Sequence, residues 1–282
     1  MITRLAWATD LHLNFANKHV QQALMQSLHA QEADALVVTG DIGEAPSFDL
    51  YLERLAEGFG KPIYFVLGNH DYYRSSIAEV RERARRLSGL LKWLPEAGVV
   101  ELNPDAALIG HDGWADARFG GYSQSDVMLN DFHFIAELTN LSKSGRRLAM
   151  EKLADEAAEH FRAVLPGALE RYERVIVATH VPPFRQATWH DGRVSDDDWL
   201  PFFSSRVAGV AIEQAVAGHP DRKVTVLCGH THGSGEVSIL PNLRVITGGA
   251  TYGRPAMQEW LCVPYDDPDI SRGGPLREKS GE

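Results

Sequence analysis

The chain has 282 residues and a formal net charge of −10, from 28 Lys and Arg against 38 Asp and Glu. This length allows one large domain with a substantial core, and the acidic balance argues against a non-specific grip on long nucleic acid. Two cysteines do not make a disulfide framework, and no apolar run has the length of a signal peptide before Thr9 or of a membrane span elsewhere, so we expect a cytoplasmic protein without a membrane partner.

Five short apolar runs each end in polar residues that can bind a metal or a phosphate. Ile, Val and Leu dominate these runs, as they do in strands of a sheet buried on both faces. Groups beyond the carboxyl ends of such strands gather at one edge of the sheet, so we expect them to form one site. The runs and their motifs are Ile2–Thr9 before Asp10-Leu11-His12, Ala35–Thr39 before Gly40-Asp41, Ile63–Leu67 before Gly68-Asn69-His70-Asp71, Val175–Thr179 before His180, and Val224–Cys228 before Gly229-His230-Thr231-His232.

Helical segments alternate with these runs, which is typical of a layered α/β fold. Apolar residues recur at helical spacing in each segment, and one segment opens with a pattern that resembles a capping box. Helices are predicted over residues 17–31, near 48–58, from the capping box at Ser76–Glu79 along an apolar stripe to Leu91, over Arg146–Leu165, and near 206–217.

The rest of the chain is less regular. Two long loops, at about 111–145 and 182–205, are interpreted as insertions, and a structureless loop of such length is usually functional. We therefore predict a single domain over residues 1–264, followed by a polar, disordered tail over 265–282. Further strands are predicted at Gly98–Leu102, Ala107–Gly110, Glu236–Leu240, Leu243–Thr247 and Glu259–Val263.

Two of the motifs pair potential metal ligands with one residue between them. Asp10 and His12 form one pair, and His230 and His232 form the other. Alternate side chains of an extended backbone share a face, so each pair can meet one ion. Carboxylate and imidazole without thiolate suit manganese, iron, zinc or a related divalent ion, and ligand type alone does not choose among them.

The ordered set of five motifs, between residues 10 and 232, resembles that of the calcineurin-like metallophosphoesterases. The resemblance implies a layered α/β fold, a β-sandwich flanked by helices (α/β/β/α). It also implies a dinuclear metal-dependent hydrolase of phosphate esters, in which a hydroxide that bridges the two ions attacks phosphorus. By the same resemblance the first ion is held by Asp10, His12 and His232, the second by Asn69, His180 and His230, and Asp41 bridges them.

His70 is the motif histidine that the resemblance leaves free of the metals and facing the substrate. In this position it assists the leaving group or stabilises the transition state, a general-acid role worth about 10²–10⁴ in rate. A carboxylate commonly orients such a histidine. Glu44, three residues after Asp41, is the first choice for this role, and Asp71, the sequence neighbour of His70, is the other.

No motif names the substrate. The aromatic loop at 182–205 favours a phosphodiester or a nucleotide-like small molecule over a phosphomonoester. The sequence after Asp41 lacks the arginine pattern of protein phosphatases, and the complete ligand set argues against an inactive binding scaffold, although both remain alternatives. Candidate substrate contacts, each of which could equally anchor a loop or cover the core, are His111, Trp114, Trp189, Tyr252 and Arg254.

Overall fold

Two β-sheets pack face to face, with helices on both outer sides. The structure, a computed structural model, describes residues 1–258 and 261–265. Its strands are β1 Arg4–Ala8, β2 Ala35–Thr39, β3 Ile63–Val66, β4 Leu91–Trp93, β5 Val100–Asn103, β6 Ala106–His111, β7 Arg174–Thr179, β8 Trp189–His190, β9 Arg193–Val194, β10 Lys223–Cys228, β11 Gly235–Leu240, β12 Leu243–Thr247 and β13 Leu261–Cys262. Its helices are α1 Lys18–Ala30, α2 Phe48–Phe59, α3 Ile77–Arg86, α4 Leu94–Ala97, α5 Asp131–Phe134, α6 Lys143–Arg171, α7 Leu200–Phe203 and α8 Arg206–Ala217.

The five ligand-bearing strands are divided between the two sheets. The first sheet has the order β13-β1-β2-β3-β4, and the second has the order β11-β12-β10-β7-β6-β5. β1, β2 and β3 are mutually parallel in the first sheet, and β7 and β10 are parallel in the second. The expectation of a single sheet edge was therefore wrong, because the ligands come from the carboxyl ends of strands in two stacked sheets.

Three clusters of buried apolar side chains fill the three spaces between the four layers of helices and sheets. Side chains such as Trp7, Val37 and Leu227 fill the space between the sheets. α1, α2 and α3 cover the outer face of the first sheet, and α6 and α8 cover the outer face of the second. Burial of the central strands on both faces explains why the five ligand-bearing strands are apolar runs with little polar alternation.

The helix boundaries differ from the predictions at two places. α3 begins after Ser76, whose side chain accepts a hydrogen bond from the Glu79 backbone N–H, but it ends at Arg86. The predicted stripe to Leu91 was wrong, because Leu91 lies in the edge strand β4. α6 continues past Pro166 to Arg171, because Leu165, Ala168 and Leu169 bury its last turns in the core of the second sheet.

Neither insertion is structureless. The loop at 182–205 contains the short β8–β9 hairpin and α7, and the loop at 111–145 contains α5. Of the predicted strand Glu259–Val263, Leu261–Cys262 pairs with β1, and residues 259–260 and the predicted tail from 266 lie outside the described residues. Within the described part of the chain, none of the helices has the length and apolar character needed to span a membrane.

Candidate metal centre

The ligand-bearing loops leave their strands through left-handed backbone conformations. Asp10, His12, Asp41, His230 and His232 have φ values of 49°, 42°, 53°, 70° and 61°. The extended backbone assumed for the two spaced pairs was therefore wrong: each pair is brought together by turns that follow the strand. Non-glycine residues in this region cost about 1–3 kcal/mol each and concentrate at functional sites.

Glycines in front of the ligands allow the loops to pack against each other. A Cβ on Gly68 would overlap the Asp41 carboxylate, and a Cβ on Gly229 would overlap the Asp10 carboxylate and the Thr9 hydroxyl. Any larger residue at either position would push these loops apart. This explains why glycine directly precedes both Asn69 and His230.

Four side chains form the first-ion cluster, defined as Asp10, His12, Asp41 and His232. Their potential ligand atoms all lie within 4.8 Å of one another. The Nε2 atom of His12 is 3.1 Å from Nε2 of His232 and 3.6 Å from Oδ2 of Asp41. Nε2 of His232 is 3.4 Å from Oδ1 of Asp10. Two imidazoles and two carboxylates thus converge on a space of the size of one ion.

The second-ion cluster is defined as Asn69, His180 and His230. Hydrogen bonds to backbone carbonyls determine the tautomers of its two histidines. Nδ1 of His180 lies 2.9 Å from the Thr39 carbonyl, and Nε2 of His230 lies 2.9 Å from the Phe202 carbonyl. A carbonyl only accepts, so these two nitrogens carry the protons. Burial lowers the pKa of His180 and lowers that of His230 to about 3, so both rings are neutral. Their other nitrogens therefore present lone pairs.

Three acceptors of the second-ion cluster face one another without a donor. Nε2 of His180 and Nδ1 of His230 are 3.2 Å apart, and they lie 3.1 Å and 3.0 Å from Oδ1 of Asn69. Nδ2 of Asn69 donates to the buried carboxylate of Asp131 at 2.8 Å, which turns the amide oxygen toward the histidines. Buried lone pairs that converge in this way are unfavourable unless a cation lies between them.

Asp41 lies between the two clusters. Its Oδ2 faces His12, and its Oδ1 is 3.5 Å from Nε2 of His180. Burial and the neighbouring charges of Asp10 and Asp71 raise the pKa of Asp41 well above its usual range. The residues present therefore fit two divalent cations that share one carboxylate, and the donor set leaves the identity of the metal open.

A cavity of about 210 Å³ opens onto both clusters and contains His70. The His70 ring lies 4.2 Å from the Tyr73 ring, and its Nε2 is 3.4 Å from the Tyr252 hydroxyl. Its Nδ1 is buried without a hydrogen-bond partner in the described structure, and burial lowers the pKa of His70 to about 2. The cavity is lined by Asp41, Asn69, His70, Tyr73, Leu129, Asn130, Asp131, His190, Trp199, Phe203, His230, Thr231, His232 and Tyr252.

Neither predicted carboxylate orients His70. Asp71 is fully buried and accepts hydrogen bonds from the backbone N–H groups of Gly43 and Gly68, so it ties two ligand loops together. Glu44 forms an ion pair with Arg74 at 2.8 Å. Both oxygens of Asp71 and Oε2 of Glu44 are thus directed to other partners, and the ring of His70 contacts the rings of His12, Tyr73 and Tyr252.

Of the five candidate substrate contacts, Tyr252 lines the cavity and the other four do not. His111 packs against the rings of His160 and Phe161, and Trp114 packs against Tyr72. For these two the alternative of a loop anchored in the core is the better description, because both are buried. The Trp189 ring lies on Gly235, and Arg254 is exposed outside the cavity.

The residues that sequence reasoning missed come from the two insertions. Asp131 and Asn130 lie at the start of α5, and Trp199 and Phe203 lie at the start and the end of α7. Tyr73 follows His70 by three residues and could have been included with that motif. Asp131 had no comparable signal, since its contact with Asn69 joins positions 62 residues apart.

Comparisons with known proteins agree with this geometry. A family model for calcineurin-like phosphoesterases matches residues 3–234, whereas no curated protein shows significant similarity to the chain. Among solved structures, phosphopantetheinyl hydrolase from Mycobacterium tuberculosis is 16% identical with a TM-score of 0.62, and the match covers 94% of this chain and 97% of that one. A dimetal phosphatase from Danio rerio is 15% identical with a TM-score of 0.53, over 88% and 87% of the two chains.

The structural likenesses are to proteins of low sequence identity and concern the fold. The family match covers most of the chain and contains all five motifs. The structural likenesses agree with the predicted fold class, and the family match confirms both the fold class and the enzyme class. The chain belongs to the calcineurin-like phosphoesterase family and is a hydrolase of phosphate esters.

Proposed function

We propose that the chain hydrolyses a phosphodiester or another nucleotide-like small molecule at a centre that holds two divalent ions. The observation that supports the two-ion centre most directly concerns the metal-binding lone pairs of Asn69, His180 and His230, which converge on one point. Asp41 lies between this point and the first-ion cluster. Asp10, His12 and His232 complete the first set of ligands.

The charge of the centre suits an anionic substrate. When bound, two divalent cations (manganese, iron, zinc or similar) supply Lewis acidity, since they attract a phosphate and lower the pKa of water. Their charge of +4 less the charges of Asp10 and Asp41 leaves about +2 on the centre. Buried Asp131 adds a further acidic group beside Asn69, which reduces the positive potential on that side.

His70 is the side chain available for the leaving group. It lines the cavity, and its contact with Tyr252 places Nε2 on the side of the first-ion cluster, because the Tyr252 ring also lies 4.5 Å from His12. The ring contacts the rings of Tyr73 and His12, with centroids 4.2 Å and 4.6 Å away, and these contacts orient it without a carboxylate. We assign it a hydrogen bond to the leaving oxygen of the ester.

The lining of the cavity favours a diester over a monoester. Among residues 1–258 and 261–265, no Lys or Arg lines the cavity. A phosphomonoester carries about −1.5 to −2 charges near pH 7, whereas a diester carries a single charge. Without cationic side chains, the second charge of a monoester would have to be balanced by the metal centre alone. The aromatic side chains of the cavity also suit a bulky organic ester.

A matched pair of substrates tests this proposal. The metal-loaded protein should hydrolyse methyl 4-nitrophenyl phosphate with a higher kcat/KM than 4-nitrophenyl phosphate, which has the same leaving group and one more charge. Asp41→Asn serves as the inactive control. A higher kcat/KM for the monoester would contradict the diester preference, and inertness toward both would contradict the proposed reaction.

A further inference from the structure

We propose that Trp199 and Phe203 form a binding subsite for a planar aromatic group carried by the substrate. The two side chains are called the aromatic wall below. This inference rests on the proposed function, because it names the substrate class that the same cavity would accept: a phosphate ester whose retained group contains a nucleobase or another aryl ring.

The aromatic wall presents a large apolar surface to the cavity. The Trp199 and Phe203 rings are 5.1 Å apart with an angle of 30° between their planes, and both line the cavity. Trp199 is 41% exposed, although it is one of the largest apolar side chains in the chain. An exposed tryptophan at the mouth of a polar, acidic cavity is the arrangement expected of a stacking platform.

The aromatic wall is held at a fixed position relative to the second-ion cluster. The Phe203 ring meets the His230 ring edge-on, with centroids 5.4 Å apart and an angle of 86°. The carbonyl of Phe202, a buried neighbour on the same helix, accepts a hydrogen bond from the Nε2–H group of His230 at 2.9 Å. The Trp199 backbone N–H donates to Asp196 at the start of this turn. A hydrogen bond to a metal ligand thus positions the helix that carries the wall.

The other side of the cavity has a different character. Tyr252 contacts His12 and His232 of the first-ion cluster and lies beside His70. A diester bound at the metal centre would therefore direct its leaving group toward His70 and Tyr252 and its retained group toward the aromatic wall. The described lining of the cavity contains no Lys or Arg, so stacking is the main interaction that it offers the retained group, and stacking tolerates different rings.

Three diesters with the same 4-nitrophenolate leaving group test the subsite. Their retained groups are methyl, phenyl and thymidine 5′. The phenyl and thymidine esters should exceed the methyl ester in kcat/KM, and Trp199→Ala should reduce that ratio by about fivefold or more. Trp199→Phe should keep most of the ratio, and Leu148→Ala, at an exposed site on α6, should not change it. Comparing each variant with wild type on the same ester cancels the intrinsic reactivity of the esters.

The outcomes separate the subsite from the proposed function. A Trp199-dependent preference for the thymidine ester over the phenyl ester indicates a nucleobase, and the reverse Trp199-dependent preference indicates a simple aryl group; both support the subsite. Hydrolysis of all three esters with ratios that do not depend on Trp199 overturns the subsite and keeps the function. If the protein hydrolyses none of the esters, calorimetry compares its affinity for thymidine 5′-monophosphate with its affinity for methyl phosphate. Tighter, Trp199-dependent binding of the nucleotide supports the subsite, and equal binding overturns it.

Discussion

Replacing Asp131 should weaken one metal site and spare the other. Asp131 is buried, and its Oδ1 accepts hydrogen bonds from Nδ2 of Asn69 at 2.8 Å and from the Tyr73 hydroxyl at 2.7 Å. Without this acceptor the Asn69 amide can turn over. Nδ2 would then donate to the lone pairs of His180 and His230, which lie about 3 Å from the present oxygen position. Hydrogen bonds within the second-ion cluster would then occupy the lone pairs that otherwise bind the metal.

The expected loss of metal affinity follows from the role of Asp131, which orients the ligand Asn69 without contacting the ion itself. Loss of such partners typically costs about 10- to 100-fold in metal affinity, which corresponds to roughly 1.4–2.7 kcal/mol. Asp131→Ala should reach this range, because it removes the acceptor of both the Asn69 amide and the Tyr73 hydroxyl. Asp131→Asn should cost less, since its amide oxygen can still accept from Asn69.

The assay is a titration of the ion-free protein with Mn²⁺, followed by calorimetry and by electron paramagnetic resonance. In Asp131→Ala the weaker second site should lose affinity, while the first site stays within about twofold of wild type. Asp126→Ala, an exposed acidic position in the same insertion, is the matched control. Unchanged affinity at both sites would refute the orienting role, and equal loss at both sites in a folded protein would show that Asp131 acts through the fold instead.

Three further predictions concern the centre itself. Asp41→Asn should abolish turnover and lower the metal content, because it removes the shared carboxylate; full turnover would contradict the bridging position. His70→Ala should keep both ions and lose about 10²–10⁴ in kcat, least for esters with good leaving groups; loss of both ions would make His70 a ligand instead. Metal binding should release a proton from Asp41 at any pH below its raised pKa, because burial and the charge of Asp10 raise that pKa well above the usual range. Burial lowers the pKa of His12 and His230 to about 3, so these two rings are already neutral. Affinity should therefore rise with pH, and calorimetry in two buffers of different ionisation heat that shows no proton release would contradict this assignment.

The sequence was most informative where structure is local. Each apolar run predicted a strand because burial on both faces demands Ile, Val and Leu, and each polar motif then followed a strand end. Burial on both faces also explains why the division into two sheets was not predicted. The sequence of a strand without polar alternation does not indicate its pairing partner, so the pattern could not assign β7 and β10 to a different sheet from β1, β2 and β3.

Other features depend on contacts that only the folded chain makes. The left-handed turns at Asp10 and His230 are stabilised by the convergence of the loops, which no local propensity encodes. α6 continues through Pro166 because its buried face outweighs the proline penalty. The two expected carboxylate partners of His70 make other contacts for a similar reason: Glu44 pairs with Arg74, and Asp71 joins the ligand loops through the backbone N–H groups of Gly43 and Gly68.

The most direct test of the two-ion centre is anomalous diffraction from crystals of the protein loaded with Mn²⁺. The proposed centre predicts two anomalous peaks per chain, one among Asp10, His12, Asp41 and His232 and one among Asp41, Asn69, His180 and His230. A catalytically active crystal form with a single peak, or with a second peak away from Asn69, would contradict it.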